Sequence, residues 1–194
     1  PMFNKFSDRI YIQPPEHYTD RPNIGLILGD KYTLLFEAGN SAANVELLKG
    51  RLLTQDLPQP DFVAISHWHW DHSFGMDAWG LPTIAGAKTN EYLKKVSGWQ
   101  WDDEAMQQRV DTGEDIVFCN EMIKREYPDR SEIKVVGADI VFDEAFRPYC
   151  AENLCGKFAV NYSCPPDCGT VAQVQARLKS GKQALVLQTI WEIG

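Results

Sequence analysis

Ile65-Ser66-His67-Trp68-His69-Trp70-Asp71-His72-Ser73-Phe74-Gly75 holds three of the chain's four histidines within a six-residue centre. The segment before it, Asp61-Phe62-Val63-Ala64-Ile65-Ser66, is a short apolar run after Pro58 and Pro60, and it reads as a strand buried on both faces. His67 and His69 therefore stand where that strand ends. In extended backbone, residues two apart point to the same side, so their imidazoles converge while Trp68 and Trp70 face elsewhere. Asp71 and His72 follow at a turn. If the chain coils there, the carboxylate and the third imidazole swing over the same spot, giving a mixed nitrogen and oxygen donor set suited to zinc or a similar first-row ion. The plainer alternative is a surface loop of polar residues, each satisfied separately.

The run His67-Trp68-His69-Trp70-Asp71-His72 resembles the HxHxDH signature of the metallo-beta-lactamase superfamily of metal-dependent hydrolases. The resemblance implies an α/β fold of the αββα sandwich type, with His67 and His69 on one metal and Asp71 and His72 on a second. It implies a zinc cofactor, one or two ions, with another first-row metal as the alternative. It also implies hydrolysis: a metal-acidified water attacks an ester, thioester, lactone, amide or phosphodiester, and Asp71 orients that nucleophile as a catalytic residue.

Outward from the cluster, the rest of the first half suits that fold. Arg9-Ile10-Tyr11-Ile12-Gln13 reads as a strand ended by Pro14-Pro15, and His17 in the following loop reads as solvated. Residues 23–28 and 32–37 flank Gly29-Asp30-Lys31 as a hairpin. That hairpin ends in Glu37-Ala38-Gly39, similar to a family strand-end motif whose acid, usually aspartate, supports the metal loop; the same residues also suit a helix start with Asn40 or Ser41 as N-cap. A helix over about 42–53 places Val45, Leu48, Leu52 and Leu53 on one stripe. Another strand is expected over 82–86 and a helix from Ala87. One or two helices are expected between Trp99 and Tyr127, broken near Gly113. Trp99 and Trp101 have two readings, packing on the core or forming a substrate wall.

A strand-like run, Ala138-Asp139-Ile140-Val141-Phe142, extends the resemblance to about residue 143. The expectation is one metallo-beta-lactamase-like domain over 1–194, clear for 8–143, atypical for 144–194 and incomplete at the C-terminus. No histidine follows His72, so the usual three-histidine first site cannot be completed from this chain's own histidines. The later stretch carries Cys150, Cys155, Cys164 and Cys168 instead, followed by a helix-like segment over 170–179 and a strand-like one over 183–193. Three readings stay open there: a zinc knuckle or a substitute thiolate ligand, reduced thiols without a metal, and a truncated or out-of-frame segment.

With 194 residues and 44% hydrophobic content, the chain can bury a sizeable core. A net charge of -8 and a pI near 5.0 argue against a sequence-independent grip on nucleic acid or an anionic membrane, which requires a basic surface. The expected partner is a small-molecule substrate, with a homo-oligomer as one way for a second subunit to lend ligands. No run reaches membrane-spanning length and five cysteines suggest no disulfide framework, so cytoplasmic residence is expected. Pro1 before Met2 is unusual for a natural start and is left out of the fold argument. Two function classes follow: a metal-dependent hydrolase, or a non-catalytic metal-binding remnant.

Overall fold

The computed structural model describes residues 2–143, together with 170, 173 and 176. The chain divides into two compact units, the first running to Val141 and the second beginning at Phe142. Most of the second unit, including Cys150, Cys155, Cys164 and Cys168, lies outside the described residues. The helix expected from residue 170 is seen there at residues 173 and 176, with Thr170 preceding it. Thr170 N donates to Gln173 Oε1 at 2.7 Å and Gln173 N donates to Thr170 Oγ1 at 3.2 Å, the reciprocal bonding of a capping box.

In the first unit, β1 (Asn4–Lys5), β2 (Ile10–Gln13), β3 (Ile24–Leu28) and β4 (Thr33–Phe36) form an antiparallel meander, with Ile12 opposite Gly25 and Leu26 opposite Leu35. After α1 (Ala42–Thr54) the chain returns as β5 (Phe62–Ala64), parallel to β4 with Phe36 opposite Ala64. Two single-turn helices follow, α2 (Trp70–Ser73) and α3 (Met76–Trp79). Then β6 (Thr83–Gly86) joins parallel to β5, and β7 (Ile140–Phe142) takes the outer edge. Between β6 and β7 lie α4 (Ala87–Val96), α5 (Asp103–Asp111), α6 (Val117–Glu126) and a short 3-10 turn, Arg130–Glu132. The strands are thus ordered as they occur in sequence. Short β1 is the one strand among them that the hydrophobic pattern did not announce, because two exposed residues carry no alternation.

Helix α1 begins where Ser41 Oγ accepts the Asn44 N–H at 2.9 Å, so Ser41 is the N-cap. Val45, Leu48 and Leu52 are fully buried against Leu26, Leu35 and Val63 of the sheet. Leu53 departs from the expected stripe and is 78% exposed. Each helical residue advances about 100°, which carries Leu53 past the edge of the buried face. Asn44 occupies the opposite flank of that face, fully buried.

A second apolar cluster forms where α4, α5 and α6 meet the histidine loop. Trp70, Phe74, Val96, Met106 and Ile123 are buried in it, with Trp68, Trp99 and Trp101 packed against it. Among the described residues no helix is long and apolar enough to cross a membrane.

Candidate metal centre

Because β4 and β5 are parallel neighbours, the loops at their carboxyl ends leave from the same edge of the sheet. Open α/β sheets place ligand sites there. The two loops are stitched together: Ala38 N donates to His72 O at 2.9 Å, Gly75 N to Gly39 O at 2.9 Å, and Glu37 N to Ala64 O at 2.8 Å. Gly75 allows this approach, since a Cβ there would lie 2.1 Å from Ala38 O. Within the loop, Ser73 Oγ donates to Trp68 O and His69 O at 2.8 and 2.9 Å, coiling the backbone so that α2 starts after His69.

This coiling brings the histidines together as the spacing predicts. The His67 ring centroid lies 4.7 Å from that of His69 and 4.3 Å from that of His72. Asp71 and His72 are buried, and Asp71 Oδ2 lies 3.0 Å from His72 Nε2. Glu37 is buried as well, and its Oε2 lies 3.1 Å from His72 Nδ1. The same oxygen accepts the Ser66 N–H at 3.3 Å. Glu37 holds φ at 72°, a left-handed conformation that is strained for a glutamate, and strain of this kind concentrates at functional sites. Ser66 Oγ lies 2.9 Å from His67 Nδ1 and fixes that end of the ring. His17 is exposed in its loop, as expected.

The electrostatics divide the three imidazoles. Burial, reinforced by the neighbouring His72 and His69, pushes His67 down to about 4, and burial also lowers His69. Both are therefore neutral at pH 7, the form that binds metals. Burial also works against a charged His72, but its hydrogen bonds to Asp71 and Glu37 and their charges outweigh it and carry the ring up to about 10.

Three imidazoles and a carboxylate fit zinc or a similar ion in kind. They fit incompletely in arrangement. Among the described residues no three His, Cys, Asp or Glu side chains are disposed to hold one ion. The geometry shows why: the Asp71 and Glu37 carboxylates are turned onto His72, one against each ring nitrogen.

Against the loop lies a cavity of about 260 Å³, lined by His69, Trp68, Trp70, Phe74, Trp99 and Trp101 among others. Trp99 and Trp101 pack on the second core cluster, as the first reading has it, and also line this cavity. Asp20, which the sequence did not single out, also belongs to this neighbourhood. Its carboxyl is raised to about 6, first by burial and then by the Asp71 charge. Its one sequence signal, a loop aspartate before Arg21 and Pro22, is too common to carry weight.

Comparison with known proteins adds to this. Residues 134–194 match the model of a family described as "Predicted metal-binding protein (DUF2284)". Among solved structures, a metallo-beta-lactamase from Cronobacter sakazakii carrying a HARLDQ-motif mutant is 16% identical, with a TM-score of 0.43 over 52% of this chain and 40% of its own. A metallo-beta-lactamase from Pontibacter korlensis is 20% identical, with a TM-score of 0.40 over 48% of this chain and 46% of its own. The chain thus spans less than half the length of these structures. No curated protein matches it. Residues 18–148, more than half of the chain and including the whole histidine loop, match the family model described as "Metallo-beta-lactamase superfamily", and the chain belongs to that superfamily.

Proposed function

We propose that this chain is a metal-dependent hydrolase whose ion is held by His67, His69, Asp71 and His72, with zinc as the first choice. The observation that carries this reading is the clustering of the three imidazoles, with Asp71 paired to His72, where the parallel strands β4 and β5 end. A bound ion would supply Lewis-acid polarisation of the scissile group and lower the pKa of a water. The chain's own residues prepare the rest. His67 and His69, their rings 4.7 Å apart, are held in the neutral form that a metal needs. With an ion bound, the Asp71 carboxylate, now 3.0 Å from His72 Nε2, would join the ligand set and would orient the attacking water. Glu37 steadies the His72 ring from its Nδ1 side, as carboxylates behind metal-ligating histidines do. The aromatic wall beside His69 keeps bulk water from the reacting group.

The test is a panel of esters, thioesters, lactones, amides and phosphodiesters assayed with added divalent metal. Turnover that disappears on chelation and in His69→Ala is the expected result, with at least about a hundredfold loss in the variant. Turnover surviving His69→Ala would remove the proposal.

A second reading, a metal-binding remnant without turnover, draws on the absence of a histidine after His72 and of a three-donor arrangement among the described residues. It predicts weak metal uptake and no hydrolysis across the panel. Under either reading we assign a second metal-binding role to residues 134–194, supported by the description of the family model matched there. Cys150, Cys155, Cys164 and Cys168 are its soft donors.

A further inference from the structure

The cavity beside His69 says what kind of group a substrate would place there. Its walls are largely aromatic and rigidly backed. Trp68 stacks on Tyr92 with ring centroids 5.2 Å apart and planes 11° off parallel. The Arg109 guanidinium lies 4.5 and 4.8 Å from the Trp99 and Trp101 ring centroids without lining the cavity, so it supports these indoles from behind. Arg109 Nη1 is anchored in turn on Gln100 O at 2.9 Å. Ile116, 48% exposed, lines the cavity, and the next two residues, Val117 and Phe118, are exposed apolar side chains as well.

The charges present select further. No lysine or arginine lines the cavity, whereas Glu114 and Asp115 do. An anionic group would meet no countercharge and at least one carboxylate of like sign. A cationic group is also poorly served, because Lys95 already pairs with Glu114 and both Lys95 and Arg109 stand against the Trp99 ring, 5.8 and 4.5 Å from its centroid, so a further cation on that indole meets charge of its own sign. Asp115 Oδ1 is engaged by the Ile116 N–H at 2.8 Å. Cys119, buried in the wall, has its thiol pushed up by burial and then by Asp115, so it stays neutral. Size completes the selection: an apolar cavity of about 150 Å³ takes benzene, and this one is about 260 Å³.

We propose that the cavity binds a neutral, flat, apolar group the size of a fused bicyclic ring, and discriminates against the same ring carrying either charge. That this group is the non-reacting part of a hydrolase substrate, held with its scissile bond toward His69, rests on the function proposed above; recognition of the ring does not. The measurement is calorimetric titration of the full chain, in buffer with EDTA so that no carboxylate gains from a metal. The probes are 2-naphthamide, 2-naphthoate and 2-naphthylmethylammonium. The account expects 2-naphthamide to bind, with each charged analogue about tenfold weaker or more, since a charge entering an apolar cavity loses its hydration. Trp99→Ala should weaken the amide about tenfold. Ile116→Glu, at a half-exposed position that leaves the core intact, should weaken it about fivefold by losing apolar area and adding a charge to the rim. Absence of amide binding, equal or tighter binding of either charged ring, or indifference to Ile116→Glu would overturn the proposal. Selective amide binding without turnover of 2-naphthyl esters would uphold the pocket and count against the hydrolase reading alone.

Discussion

At the scale of single residues, His72 is the side chain on which the loop turns, held by Asp71 on one nitrogen and Glu37 on the other. The HxHxDH spacing made His67, His69, Asp71 and His72 legible in the sequence, because alternation and a turn are local properties. Glu37 was legible as a supporting acid, but its contact with His72 spans 35 residues and its positive φ has no sequence signature. Asp20 was not legible at all, since its raised pKa depends on burial and on Asp71, which the fold brings near. Its ordinary value of 3.8 rises to about 6 in the folded protein, so folding favours the protonated acid. The sign follows: the stabilising contribution is present below about pH 4 and is lost as pH rises through 6. In metal-free protein Asp20→Asn should therefore gain about 1–2 kcal/mol at pH 8, a figure reduced for the group's partial exposure. Asn also tolerates the positive φ of 55° at this position. Melting temperatures at pH 8 and pH 4 check this. A rise at pH 8 that shrinks at pH 4 is expected, and an equal shift at both would assign the gain to the backbone alone.

At the scale of elements, the site depends on how closely the loop after β4 meets the loop after β5. Gly75 sets that distance, with Ala38 O and Val45 Cγ2 at 2.1 and 2.8 Å from where a Cβ would sit. Gly75→Ala must push the loops apart and is expected to cost about 2–4 kcal/mol. Chemical denaturation measures this, and a loss under 0.5 kcal/mol, roughly the scatter of neutral surface changes, would show that the loops are not tightly docked. The elements themselves were largely readable. The hairpin of β3 and β4, the caps and stripe of α1, and the break between α5 and α6 near Gly113 follow from alternation, helical period and turn residues. The misplacement of Leu53 shows the limit of that reading, because the centre of a helix's buried face is fixed by its neighbours. Here Asn44, tucked beneath the cap at Ser41, rotates it away from Leu53. The aromatic cavity was half legible. The tryptophans stand out in composition, but the backing of Trp99 and Trp101 by Arg109 comes from α5 folding over them.

At the scale of the whole molecule, two family models meet on one chain. The metallo-beta-lactamase model covers 18–148 and the predicted metal-binding model covers 134–194. The resemblance that fades near residue 143 does so where the second match takes over, and the absence of later histidines agrees with that change. Sequence reading registered the loss of pattern but no replacement motif, since four cysteines at spacings of four, eight and three intervening residues fit no strong zinc pattern. The central claim is that the histidine loop itself holds an ion. Elemental mass spectrometry of the full chain, after dialysis against metal-free buffer, tests it most directly. It should be run beside His67→Ala and a variant with Cys150, Cys155, Cys164 and Cys168 all changed to serine. The account predicts metal in the unaltered chain, a fraction lost in His67→Ala, and that same fraction kept when the cysteines are replaced. Metal content unchanged by His67→Ala, or abolished by the cysteine changes alone, would contradict it.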